Sequence, residues 1–286
     1  MSDKRAWGKM LLRSAAVVAF VAVVVIGTLG YVVFYGTPDK VDTMSTRQFA
    51  SFMMDDPETL TSLGFLDGGF LDFHSDELSD RSSTARVAKK DQARQFRKEL
   101  DRYDRSDLSP DQALSWDVWT WWLDAEIAAS QAEYAGVLTS PYVVNQLEGV
   151  QAGTISLLSS AHRLHNLKMV DHYIHRLKAF PLAVDQTLEA FQTQRDAGVL
   201  PPRVVLQAVA DQLDELLAPA PTAHPLVVSM TQRLGENSSF STEQIGEYRQ
   251  AAETCRPDSR ATGSESLIPS RNGRNSECPG RTTRRA

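Results

Sequence analysis

The sequence predicts an all-α protein: an antiparallel helical array, preceded by one N-terminal transmembrane helix and followed by a disordered C-terminal tail. Three observations carry that expectation. The run Ala15–Phe34 is apolar and holds no charge over twenty residues. Beyond it, apolar residues recur every three to four positions, and no alternating β-branched run lies between hairpin turns. From Thr254 to Ala286 that periodicity is gone, and 24 of 33 residues are Arg, Ser, Thr, Pro, Gly or Ala.

The chain therefore divides into a basic segment 1–14, an anchor 15–35, a linker 36–42, a helical domain 43–252 and a tail 253–286. At ~1.5 Å per residue, twenty residues of helix cross a hydrocarbon core of roughly 30 Å. A cleavable signal peptide also starts basic and turns apolar. Its core is shorter, however, and here the run leaves through Tyr31, Val32, Val33, Phe34 and Tyr35 rather than through small residues. Lys4, Arg5, Lys9 and Arg13 precede the span, while Asp39, Lys40 and Asp42 follow it. The positive-inside rule then keeps the N-terminus cytoplasmic and puts the main domain outside the cytoplasm, on a single-pass cell-membrane protein.

Charge is unevenly placed. The net charge is −6, but residues 1–14 carry +3 and the tail from Thr254 carries +4, which leaves −13 for the rest. An acidic body repels phosphate backbones, so nucleic acid is not an expected partner. Cys255 and Cys278, the only cysteines, both fall in the expected tail, which excludes a disulfide scaffold.

Along the body, Arg86–Tyr103 is a charged surface-type helical stretch. Ser109 and Pro110 supply an N-cap and a first-turn proline for the next helix, which places Trp116, Trp119 and Leu123 on one face. Trp121 and Trp122 widen that stripe; a packed core explains it more simply than an aromatic ligand cage. Asp171 is suited to cap a helix carrying Ile174, Leu177, Phe180, Val184, Leu188 and Phe191. Pro181 should kink or divide that helix, and Gly198 should end it. Pro201-Pro202 opens a helix with Leu206, Val209, Leu213 and Leu216, which Pro219, Pro221 and Pro225 close. A last short helix starts after Ser241, with Thr242 and Glu243 in its first turn.

Chemistry-bearing motifs are few. The sequence holds no P-loop, dinucleotide fingerprint or G-x-S-x-G, and no His-Glu dipeptide at all. The stretch HRLHNLKMVDHYIH contains two i,i+3 pairs, His162 with His165 and His172 with His175. Such a pair can meet one ion from one helix face. Buried, hydrogen-bonded imidazoles explain the first pair better than ligands do, solvated surface histidines explain the second, and no acidic third ligand sits at helical spacing. In SPYVVNQLEGVQAG, Tyr142, Asn145 and Gln146 place polar groups among a proline and two glycines. That segment either lines a cleft or caps and links two helices. The candidate cleft-facing residues are thus Tyr142, Asn145, Gln146, His162 and His165, with no catalytic and no metal-ligating residue assigned.

DPETLTSLG (56–64), LSPDQALSWDV (108–118), PYVVNQLEGVQAG (141–153), DHYIHRLKAFP (171–181) and GVLPPRVVLQAV (198–209) occur in that order. Over roughly Thr43 to Ala252 this resembles the N-terminal half of the bacterial domain-of-unknown-function 885 family. The resemblance implies a mostly helical protein similar to zinc carboxypeptidases and oligopeptidases. Two histidines of a His-Glu-x-x-His helix and a later Glu would hold Zn²⁺, and the motif's own Glu would activate water; all lie in the C-terminal half. No position of this sequence matches them, so nothing catalytic carries over. Zinc and a peptide substrate are expected only for a full-length relative. On this reading the chain is a truncated, membrane-anchored fragment, inactive alone, with a tail produced by a frameshift. A complete tethered binding or scaffold module is the alternative, and a metal module on His162 and His165 a third. The sequence assigns no oligomeric state.

Overall fold

The computed structural model describes residues 40–136 and 140–255. The expected anchor at 15–35 and the tail beyond Cys255 lie outside them. Among the described residues there are nine α-helices and no strand: α1 Val41–Met54, α2 Pro57–Leu63, α3 Ser83–Leu100, α4 Pro110–Gln131, α5 Val150–Ser156, α6 Leu167–Asp196, α7 Arg203–Leu217, α8 Pro225–Glu236 and α9 Thr242–Cys255. None of these is long and apolar enough to cross a membrane. The described residues form two compact units. One draws on the residues up to Ser51 and on Gln95–Leu123, the other on Phe52–Arg94 and the residues from Asp124 onward.

The helix ends follow local chemistry. Ser109 and Gln112 exchange hydrogen bonds at the start of α4, Gln112 N to Ser109 Oγ and Ser109 N to Gln112 Oε1. Ser241 and Gln244 do the same before α9. Both are capping boxes that satisfy otherwise orphaned amides. Asp56 caps α2 by accepting from the amides of Glu58 and Thr59, with Pro57 at the first position. Gly198 ends α6 as predicted: its φ is +79°, its amide donates to Arg195 O, and Val199 N donates to Gln194 O. That pairing is a Schellman motif, which requires a left-handed residue.

Three helix expectations need correction. Asn166, not Asp171, caps α6, its Oδ1 accepting from Met169 N at 3.0 Å. Asp171 lies inside the helix and accepts from the Tyr248 hydroxyl of α9 at 2.8 Å. Pro181 does not divide α6, which runs unbroken for 30 residues. A mid-helix proline costs about 3 kcal/mol. Burial of Leu177, Phe180, Ala183 and Val184 on either side offsets that, at ~2 kcal/mol for each large side chain. Finally, Pro225 opens α8 rather than closing α7.

In the first unit, Val41, Met44, Leu100 and Leu123 are fully buried. Trp116, Trp119 and Trp122 of α4 are half-buried and serve that packing rather than a cage, whereas Trp121 faces solvent, outside the expected core stripe. Trp116 Nε1 donates to Leu100 O at 3.1 Å, and Trp119 Nε1 donates to Gln48 Oε1. The second unit is centred on α6. Its N-terminal half packs Val170, Tyr173, Ile174 and Leu177 against Leu226, Met230 and Leu234 of α8 and Ala252 and Cys255 of α9. Helix α9 thus continues past the expected boundary at Ala252, with Cys255 in the core. The C-terminal half of α6 buries Phe180, Ala183 and Val184 with Val150 of α5.

Candidate functional site

Within the second unit, polar chemistry concentrates where the chain passes from α5 into α6. After α5, residues Leu157–Ala161 form a π-helical turn, in which His162 N donates to Leu157 O at 2.7 Å. Such turns widen the helix and re-aim the side chains that follow. His162 leaves the turn pointing inward and is completely buried, and it meets Arg176 of α6, also completely buried.

Arg176 is the hub. Its Nε donates to Glu77 O (2.9 Å), its Nη1 to His162 Nδ1 (3.0 Å), and its Nη2 to Thr61 Oγ1 (2.7 Å), His74 O (3.2 Å) and Pro57 O (3.3 Å). One guanidinium thereby joins α2, the loop after it, the π turn and α6. Only a planar five-donor fork can do this at fixed geometry. Burial pulls its pKa down to about 10, countered by the nearby carboxylates of Glu58, Asp67, Asp76 and Asp72, so it stays charged at neutral pH.

The same geometry fixes the tautomer of His162. Met169 O can only accept, so His162 Nε2 carries the proton and donates to it at 2.8 Å. Nδ1 accepts from Arg176. Burial, with Arg176, Arg233 and His172 adding repulsion, pushes the imidazole pKa down to about 3 against the bond to Met169. Both ring nitrogens are committed, which leaves no lone pair for a metal or a substrate proton. Arg233 of α8 completes the clamp by donating to the carbonyls of Leu158, Ser159 and His162.

A second buried cluster sits in the loop between α2 and α3. His74 Nε2 donates to Asp67 Oδ1 at 3.0 Å, and neither side chain is more than 1% exposed. Burial raises the Asp72 carboxyl, but bonds from Ser75 Oγ and from the amides of Gly68, Ser75 and His74 outweigh it and hold the pKa at about 2. His172 Nδ1 stands 3.6 Å from Asp72 Oδ2, while burial lowers the His172 pKa against the pull of Asp76 and Asp72.

The other residues singled out from sequence fall apart in space. His165 is exposed and lies over Gly68, where a Cβ would come within 2.6 Å of its Nε2. His175 is half exposed, 3.6 Å from Asp76. Among the described residues no group of three His, Cys, Asp or Glu is placed to hold a metal ion. Asn145 closes a turn, its Oδ1 accepting from the amides of Leu147 and Glu148. Gln146 offers its carbonyl to Gln212 Nε2 of α7 at 2.8 Å, and the Tyr142 amide donates to Ser140 Oγ. Their segment does line a groove, but through Val144, Val150 and Gln151. Val184, Thr187, Leu188 and Phe191 of α6 and Val209 and Leu213 of α7 form the other walls. The groove encloses about 410 Å³ including its open mouth, which suits an apolar side chain rather than a reaction centre.

Sequence reasoning missed Arg176, Arg233 and Asp72. An arginine at a position in phase with Tyr173, Leu177 and Phe180 was the available signal, since a charge on a core stripe demands partners.

One solved structure that this fold resembles is "the putative lipoprotein from Colwellia psychrerythraea", with a TM-score of 0.68 at 15% identity over 79% of this chain. The present chain spans 40% of that one. No curated protein matches significantly. The family described as "Bacterial protein of unknown function (DUF885)" matches residues 57–264, which include α2 through α9 and the whole clamp around Arg176. The chain belongs to this DUF885 family.

Proposed function

We propose that this chain is the membrane-tethered, N-terminal helical part of a zinc peptidase-like architecture, and that it does not hydrolyse peptides by itself. The observation that carries this reading is in the sequence: 286 residues contain no His-Glu dipeptide, in a chain spanning 40% of a structurally similar protein. The histidine best placed in the interior, His162, is locked by two hydrogen bonds and acts as a structural strut. Zinc and peptide belong, on this reading, to a longer relative that supplies the His-Glu-x-x-His helix. The uncharged run Ala15–Phe34 supplies the tether.

The test is direct. The full chain, purified in detergent with added Zn²⁺, is incubated with a mixed peptide library and cleavage is followed by mass spectrometry. No chelator-sensitive cleavage is expected; zinc-dependent cleavage that tracks the purified chain would refute the reading. Translating the gene in its other two frames beyond residue 264, where the family match ends, tests the truncation separately, since an open frame carrying His-Glu-x-x-His is expected there. A second reading, a tethered binding or scaffold module, draws on the apolar groove between α6 and α7. A defined partner retained by the wild-type chain but not by a Leu188→Glu variant would favour it.

A further inference from the structure

The loop from Leu63 to Phe73 presents five large apolar side chains to solvent. Leu63, Phe65, Leu71 and Phe73 are between 48% and 66% exposed, and Phe70 is fully exposed. The Phe73 ring meets His74 edge-on at 5.4 Å, but five exposed large apolar side chains within eleven residues, from the last residue of α2 onward, mark a contact surface. The acidic side chains of the same loop, Asp67 and Asp72, are completely buried, and Asp72 Oδ2 stands 3.8 Å from Lys168 Nζ, which it partly neutralises. Basic side chains border it instead. The Arg163 guanidinium lies over Gly64, where an added Cβ would fall 2.2 Å from Nη2. His165 lies over Gly68, and Lys168 Nζ donates to Gly69 O at 3.2 Å. The loop is thus an apolar tip with a basic rim, all within one compact unit.

We propose that this tip docks on the anionic surface of the bilayer that holds the N-terminal span. The inference rests on the tethered reading above. Charge decides the occupant: an apolar tip alone would suit a protein as well, but the exposed Arg163 guanidinium at its rim matches a lipid phosphate, with Lys168, shared with Asp72, as a weaker second contact. The tether supplies the second argument. From Phe34 to Leu63 the chain extends no more than roughly 60 Å, counting the linker as extended and α1 and α2 as helices. At that range the loop meets its own bilayer at an effective concentration near millimolar, so weak docking suffices. Phe65, Phe70 and Phe73 enter the interface while the two cations stay at headgroup level.

The experiment uses the full chain with Phe70→Cys and Cys278→Ser, labelled at residue 70 with an environment-sensitive fluorophore; Cys255 is buried and does not react in the folded state. The chain is placed in nanodiscs of phosphatidylglycerol or of phosphatidylcholine. In phosphatidylglycerol the label is expected to brighten at least twofold, to be quenched by nitroxide-bearing lipid and to be shielded from iodide. In about 1 M salt, where screening acts within roughly 3 Å, the effect should vanish. Arg163→Gln should lower the docking equilibrium constant by about fivefold, the worth of one basic residue near an anionic surface. Equal iodide quenching in both lipids, with the chain co-eluting with the discs, overturns the docking alone. Shielding that is the same in phosphatidylcholine, or that rises with protein concentration, assigns the tip to a protein or to a second copy and also overturns it. A chain that co-elutes with neither disc overturns the tether and the docking together. Unchanged helicity by circular dichroism shows that the substitutions leave the fold intact.

Discussion

Arg176 Nη1 lies 3.0 Å from His162 Nδ1, and neither side chain has any exposed surface. A charged guanidinium donating to a neutral imidazole, far from water, ties the start of α6 to the π turn that precedes it. Removing either partner leaves the other buried and unsatisfied.

Arg176→Met should therefore destabilise the protein by roughly 3–5 kcal/mol, because His162, Thr61 and three backbone carbonyls lose their donor together. Arg176→Lys should recover only a small part, since an ammonium cannot reach five acceptors in one plane. Urea unfolding of the full chain, followed by circular dichroism, measures both. A loss below about 1 kcal/mol for the methionine variant, the net worth of one ordinary hydrogen bond, would show that the hub is dispensable.

Acid should weaken the protein over two overlapping pH windows. The folded-state pKa of His162 is about 3, below the ordinary 6.5, so the unfolded chain takes up a proton first as pH falls. The stability that His162 contributes is full above pH 6.5 and is lost progressively down to about 3, at most about 5 kcal/mol in all. Asp72, held at about 2 against an ordinary 3.8, contributes stability present above pH 3.8 and lost as pH approaches 2. Denaturation midpoints at about pH 7, 5 and 4 should decline steadily. His162→Gln, with an amide that can still accept from Arg176 and donate to Met169 O, should flatten the decline between pH 6.5 and about 4.

Gln194, 2% exposed, is a smaller hub of the same kind. Its Nε2 donates to Glu133 O at 2.7 Å and Pro141 O at 2.8 Å, and its Oε1 accepts from Val143 N at 3.1 Å. Gln194→Leu should cost about 2–3 kcal/mol and release the segment it holds. Amide exchange at Val143 should speed up well beyond the global change in stability; exchange that tracks global unfolding alone would argue against a local role.

Two glycines should respond with opposite signs. Gly198 has a φ of +79° in the Schellman turn of α6, so Gly198→Ala should destabilise by about 1 kcal/mol or more. Gly246 is inside α9, and an added Cβ there would meet nothing within 4 Å. Gly246→Ala should stabilise by about 0.5–1 kcal/mol. Paired thermal melts check the contrast.

What sequence alone made legible was local. Ser109-Pro110 before α4, Ser241 before α9, Pro201-Pro202 before α7 and Gly198 after α6 each act through atoms within a few residues, so spacing reveals them. The all-α class follows from the same short-range periodicity. The errors arose where two local solutions were equally good. Asn166 and Asp171 are both able caps, and only the Tyr248 hydroxyl of α9, 77 residues away, claims Asp171. Pro181 breaks an isolated helix, but the core on either side of it holds α6 together. Pro225 serves equally to stop one helix or start the next; burial of Leu226, Met230 and Leu234 chose the start.

The histidine pairs show the same division. Their i,i+3 spacing made His162 and His165 near neighbours, but did not tell that the π turn sends one inward and leaves the other outside. The neutral tautomer of His162 depends on Arg176 from one side and on Met169 O from the other. Likewise, the sequence contained the apolar residues of Leu63–Phe73, while only the fold turned Asp67 and Asp72 inward and brought Arg163 and Lys168 alongside. Periodicity, caps and the apolar span are set by contacts a few residues apart, and the chain's own order declares them. Which polar groups share a buried partner is set by contacts up to 119 residues apart, as between Arg176 and Pro57, and is decided only when the helices pack.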